Sequence, residues 1–167
     1  MNKVDYTDDN TRTNKDIAWK KENILKFATW NVQGISHKED QLDDILAKKG
    51  ISIAVISETK KKLKGSKETQ NYLQFYSGVD SKTRVKAGIM LMLQKRFKFV
   101  IDNYNYWNER MIQLRLKLQR GYLTIIGIYL PEEGEEEEND KFYASLQKIV
   151  SKVNKSDMLI IMGDFNA

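Results

Sequence analysis

The sequence predicts an α/β fold in which a β-sheet is layered with helices, and three observations predict it. Apolar, strand-like runs alternate with a helical segment between residues 24 and 57. A central stretch, Arg110 to Leu118, alternates apolar and polar side chains at the period of a strand. A helical stripe near residues 140–153 leads into a further apolar run that begins at Met158.

Taken in order, residues 1–23 are rich in Asn, Asp, Thr and Lys, have no apolar period, and read as a disordered polar leader. Residues 24–167 read as one domain, because no Gly/Ser/Pro-rich stretch divides them. Leu25 to Trp30 is a strand. Leu42, Ile45 and Leu46 then share one face of a helix over Lys38 to Lys49, which Gly50 closes. Ile51 to Ser57 is the next strand, and the stretch to Gln70 reads as a loop. Strands at Tyr72 to Tyr76, Ala87 to Leu93 and around Phe97 to Ile101 follow with no helix between them. Between Arg110 and Leu118, Ile112, Leu114, Leu116 and Leu118 face one way and Gln113, Arg115 and Lys117 the other, as in a strand packed on one side. The turn at Arg120-Gly121 returns the chain antiparallel over Tyr122 to Leu130. Phe142, Leu146, Ile149 and Val153 stripe a helix from Asp140 to Val153, before the last strand.

Composition narrows the setting. The 167 residues contain no cysteine, which excludes disulfides and thiolate metal sites and suits the nucleus or cytoplasm. No secretory signal is visible and no apolar run reaches the roughly 20 residues that span a bilayer, so neither secretion nor a membrane partner is expected. A net charge of +5 favours polyanionic partners. Lys60, Lys61, Lys62, Lys64 and Lys67 crowd one segment, and Lys82, Arg84 and Lys86 another. Against them stands the acidic run from Glu132 to Asp140, which reads as a solvated loop feeding the first turn of a helix, where the macrodipole favours negative charge.

Chemistry-bearing residues gather at strand ends, where open α/β sheets hold their sites. One apolar run ends in Trp30-Asn31-Val32-Gln33-Gly34, another in Ser57-Glu58-Thr59-Lys60, and the last in Gly163-Asp164-Phe165-Asn166. Tyr129 and Pro131 close the hairpin strand. In that order and at that spread, the four motifs resemble the endonuclease/exonuclease/phosphatase superfamily. Within it, they look most like the apurinic-endonuclease-like nuclease domains of non-LTR retrotransposons.

The resemblance implies a four-layer α/β/β/α sandwich, of which this chain holds the first sheet with its flanking helices and lacks most of the second. It implies a phosphodiester hydrolase acting on DNA with Mg²⁺, or Mn²⁺ in its place. Glu58 would bind the metal, with Asn31 as a weaker ligand or as an orienter of a neighbouring carboxylate. Asp164 would deprotonate the attacking water, Asn166 would hold a phosphate oxygen, and Tyr129 would donate its phenol to another. An Asp-His pair that completes the family's site has no counterpart here. The only histidine, His37, matches no motif. Gln33 and Ser57 also depart from the residues common at those positions.

The expectation is therefore the amino-terminal portion, residues 24–167, of a truncated domain that is inactive or nearly so alone and marginal in stability. Two other readings are compatible with the motifs. One is a phosphatase or phospholipase of the same superfamily. The other is a noncatalytic nucleic-acid-binding or interaction fragment, supported by the lysine-rich segment.

Overall fold

The computed structural model describes residues 2–3, 24–79, 87–132 and 134–166. The chain order is β1 (Asn2–Lys3), β2 (Phe27–Asn31), α1 (Glu39–Lys48), β3 (Ile53–Ser57), β4 (Lys64–Glu68), β5 (Tyr72–Ser77), β6 (Ile89–Gln94), a 3-10 turn (Lys95–Val100), β7 (Ile101–Asn108), β8 (Met111–Lys117), β9 (Tyr122–Tyr129), α2 (Glu136–Val150) and β10 (Met158–Asp164). Five strands form one sheet in the order β2-β3-β6-β5-β4, and five form another in the order β1-β7-β8-β9-β10.

The α/β/β/α layering is present. Leu42 and Leu46 of α1 pack on the outer face of the first sheet against Ala54, Ile56, Met90 and Met92. Phe142 and Ile149 of α2 pack on the outer face of the second against Met111, Ile126 and Ile128. Between the sheets, Ile53, Val55, Leu91 and Leu93 meet Ile112, Leu114, Leu116, Leu123 and Ile125. More of the second sheet is therefore present than the sequence reading allowed, and the inner face of the first is covered. The reason is physical: a two-residue period fixes which side chains face a core but not which sheet a strand joins.

Two elements differ from expectation. The segment around Phe97 is a 3-10 turn with the strand beginning only at Ile101, because Phe97 and Val100 are buried three apart and strand alternation cannot bury both on one face. The predicted loop up to Gln70 contains β4, an edge strand paired antiparallel to β5. Its sequence, Lys-Gly-Ser-Lys-Glu, carries the charge that discourages further pairing at an edge and hides the apolar signal of a strand. Lys82, Arg84 and Lys86 lie outside the described residues, as does most of the predicted leader.

The site depends on two parallel pairs. β2 runs parallel to β3, with Asn31 beside Ser57, and β9 runs parallel to β10, with Tyr129 beside Asp164. Parallel neighbours need a crossover, and α1 and α2 supply it. The four carboxyl-terminal ends thus collect at one rim.

Candidate functional site at the strand ends

Each rim residue is placed by the strand that ends at it. The loop after β2 is fastened to the loop after β3 by three backbone bonds: Val32 N–H to Ser57 O (3.2 Å), Gly34 N–H to Glu58 O (2.8 Å) and Ile35 N–H to Thr59 O (3.0 Å). The loop after β9 is fastened to β10 by Leu130 N–H donating to Asp164 O (2.9 Å). Gly163 makes the second junction possible. Its φ is +148°, and a Cβ there would lie 1.9 Å from Ile128 O, so no other residue fits. Gly88 does the same for the Glu58 loop: its φ is +134°, and a Cβ would lie 2.5 Å from Thr59 Oγ1.

Backbone strain concentrates here. Among the described residues, six non-glycine positions have positive φ, and four of them, Gln33, Glu58, Lys60 and Asn166, are in the rim loops. Such conformations cost of order 1 kcal/mol or more each and persist where surrounding structure over-determines them. The backbone bonds just described are that over-determination.

Side chains converge across more than a hundred residues of sequence. Asn31 Nδ2 donates to Asp164 Oδ2 at 3.0 Å, and Ser57 Oγ donates to the same oxygen at 3.3 Å. Asn31 Oδ1 accepts from Gln33 N–H at 3.1 Å. The amide of Asn31 thus orients the Asp164 carboxylate. Glu58, next to Ser57, keeps its carboxylate partly exposed, and Lys60 Nζ approaches its Oε1 at 3.5 Å. Asn166 Nδ2 donates to Leu130 O at 2.6 Å and to Pro131 O at 3.3 Å, while its backbone N–H donates to Asp164 Oδ1 at 3.1 Å.

Tyr129 is buried beside these groups. Burial pushes its phenol above the ordinary tyrosine value, and the negative charge of Glu58 adds to the rise, with smaller contributions of the same sign from Glu132 and Asp164. Arg110 opposes it. The phenol is a proton donor at neutral pH.

Sequence reasoning missed Arg110. Its guanidinium stands 5.1 Å from the Tyr129 ring centroid and donates to Tyr129 O (3.5 Å) and Leu130 O (3.4 Å), so Leu130 O receives both Arg110 and Asn166. The only available signal was a cation at the head of an alternating strand, which is common on surfaces. Ser57, noted as a departure, proves to contact Asp164. His37 is exposed in the turn before α1.

The lysine-rich segment is tied into the fold. Lys61 and Lys67 both pair with Glu39, at 2.6 and 3.1 Å. Burial alone would raise the Glu39 carboxyl, but hydrogen bonds from the two lysines hold it below the usual value. Lys61 also lies over the Tyr76 ring at 4.3 Å.

No family model matches the chain. It is 34% identical over 143 residues to craniofacial development protein 2 of Bos taurus, covering 84% of this chain and 24% of that protein. It is 27% identical over 157 residues to exodeoxyribonuclease III of Haemophilus influenzae, covering 85% of this chain and 57% of the enzyme. Its fold matches a 3'-5' exonuclease from Neisseria meningitidis with a TM-score of 0.64 and 20% identity, over 85% of this chain and 58% of that one. This likeness shows the fold: the chain shares the two-sheet layered sandwich of that exonuclease. It spans about a quarter of the bovine relative and under two thirds of the other two proteins, and its fold matches part of the exonuclease's sandwich.

The donor set at the rim fits a hard divalent cation. Its chemistry-bearing ligands are oxygens, with two carboxylates, Glu58 and Asp164, both felt by the Tyr129 phenol. Among the described residues no cluster of three His, Cys, Asp or Glu converges. Oxygen donors of this kind suit a hard cation better than one that takes nitrogen or sulfur ligands. No helix among the described residues is long and apolar enough to cross a membrane.

Proposed function

We propose that this chain is the amino-terminal portion of a Mg²⁺-dependent phosphodiesterase that hydrolyses DNA, of the retrotransposon nuclease type, and that the 167 residues alone turn over little or no substrate. The observation that carries the reading is the Asn31–Asp164–Ser57 bond set, which draws three separate strand ends around one carboxylate beside Glu58. The similarity to an exodeoxyribonuclease supports the substrate class.

Hydrolysing a phosphodiester needs an oriented, deprotonated water and charge neutralisation at the nonbridging oxygens. A divalent ion at Glu58 would supply the neutralisation. Asp164 is the base: Asn31 and Ser57 hold its Oδ2, and the Asn166 N–H holds its Oδ1. Tyr129 stays protonated and donates to a phosphate oxygen as charge develops. Asn166 contributes through its longer bond, to Pro131 O, which an incoming phosphate oxygen would replace. The family's Asp-His pair is absent from the sequence, and losing one preorganised donor commonly costs about 10²–10³ in rate.

Against the noncatalytic reading, part of the lysine-rich segment is engaged within the fold: Lys61 and Lys67 pair with Glu39. The test is affinity for nicked duplex DNA in Mg²⁺ and in EDTA. The reading expects tighter binding with Mg²⁺ and loss of that gain in Glu58→Gln. Salt-dependent binding that ignores both Mg²⁺ and the substitution would select the noncatalytic module instead. Rapid Mg²⁺-dependent nicking by the pure chain, abolished by Glu58→Gln, would overturn the inactivity.

A further inference from the structure

Beside the rim lies a cavity of about 230 Å³ lined by Trp30, Asn31, Gln33, Lys38 and Gln41, over a floor of Ile35, Leu42 and Ile45. We propose that it is a nucleobase pocket, in which one base stacks on Trp30 while its phosphate faces the carboxylate rim; this rests on the DNA reading above.

Four observations converge. Trp30, one residue before the end of β2, is 43% exposed and so leaves an indole face open at the cavity. The floor is apolar and buried: Ile35 and Leu42 are 2% and 4% exposed. The mouth is polar in a particular way, with two amides, Gln33 and Gln41, that can both donate and accept, and the ammonium of Lys38. An aliphatic side chain would use the floor and leave those amides idle, whereas a base offers a π-face to the indole and donors and acceptors to the amides. The volume falls below the roughly 300–1,000 Å³ of drug-sized pockets, which suits one base rather than a whole nucleotide.

The cavity is continuous with the site. Asn31 lines the cavity and also donates to Asp164 Oδ2. The cavity and the proposed general base thus share one residue, and a base seated against Trp30 would direct its phosphate toward that junction. Stacking of a base on an aromatic side chain tolerates sequence, so the pocket would position the strand without reading it.

The experiment titrates the full chain in EDTA with deoxyadenosine monophosphate and, separately, with deoxyribose 5-phosphate, following binding by NMR shifts of the Trp30 and Gln41 signals. The expected result is saturable binding of the nucleotide, no detectable binding of the sugar phosphate, and a loss of about ten-fold or more in Trp30→Leu, recovered in part by Trp30→Phe. Gln41→Ala, on an exposed helix position, is expected to weaken binding several-fold. Equal binding of the two probes, or nucleotide binding unchanged in Trp30→Leu, would overturn the pocket. Because the titration is run without metal, failure of the metal-site reading would leave this result intact, and the reverse also holds.

Discussion

At the scale of single residues, the rim surrounds its two carboxylates with different neighbours. Asp164 is held by three donors and Glu58 faces one lysine. Tyr129 reports on both. Its raised phenol stays neutral past the ordinary value near pH 10, so whatever stability the neutral phenol contributes is complete below that pH and is lost as pH climbs through the higher folded value. Ultraviolet titration of phenolate, with Tyr129→Phe as the assignment control, is expected to show the Tyr129 step shifting down in Glu58→Gln and up in Arg110→Met. The rim residues were legible in the sequence because each sits where an apolar run breaks, next to a glycine or in a short polar turn. Arg110 was not, because its meaning lies in a carbonyl and a ring about twenty residues away.

At the scale of elements, buried polar anchors set the spacing between helices, turns and strands. Asp43 of α1 is buried and accepts from Asn71 N–H (3.2 Å), Asn71 Nδ2 (2.6 Å) and the Thr69 hydroxyl, fixing the turn between β4 and β5. Asp43→Ala would strand those donors, at a cost of about 1–3 kcal/mol. Urea unfolding at neutral pH checks it, and no change in the midpoint would refute the anchor. At the start of β10, Asp157 accepts from Arg115 Nε (2.6 Å) and NH2 (2.8 Å) and from Thr124 Oγ1 (2.7 Å), while Arg115 also reaches Asp102 at 2.7 Å. The Arg115 guanidinium holds the Asp157 carboxyl below its usual value. A depressed carboxyl contributes stability that is complete above its unfolded value near pH 4 and disappears as pH falls through the lower folded one. Asp157→Asn is accordingly expected to lower stability at neutral pH and to flatten the loss on acidification, read by thermal melts across that range. A periodic reading classes Asp43 and Arg115 as solvent-facing, since it registers polarity and not the partner that makes burial affordable.

At the scale of the whole molecule, the two sides of the sandwich are unlike. On one side the edge of the first sheet is β4, with Lys64, Lys67 and Glu68. On the other, β2 and β10 are the outer strands of their sheets and carry no charged side chain before Asp164. Trp30, Met158, Leu159 and Phe165 are exposed on that side. Among the described residues no strand pairs beyond these two edges, and uncharged edges of that kind invite pairing with other chains. Light scattering is expected to show concentration-dependent association that Leu159→Lys suppresses with little change in unfolding midpoint; a wild type that stays monomeric at high concentration would count against it. The layered α/β class was legible from alternating periods. The division of strands between two sheets was not, because the pattern of inner faces is the same whichever sheet a strand enters.

The claim on which the functional account turns is that Glu58 holds one divalent ion beside the Asp164 carboxylate. Titrating the chain with Mn²⁺ and following paramagnetic broadening by NMR tests it directly. The account predicts a single ion whose broadening centres on the ends of β2, β3 and β10, at Asn31, Glu58 and Asp164, with affinity falling about ten-fold or more in Glu58→Gln. Broadening centred on the acidic segment around Glu136 instead, or a rim signal unchanged by that substitution, would contradict it.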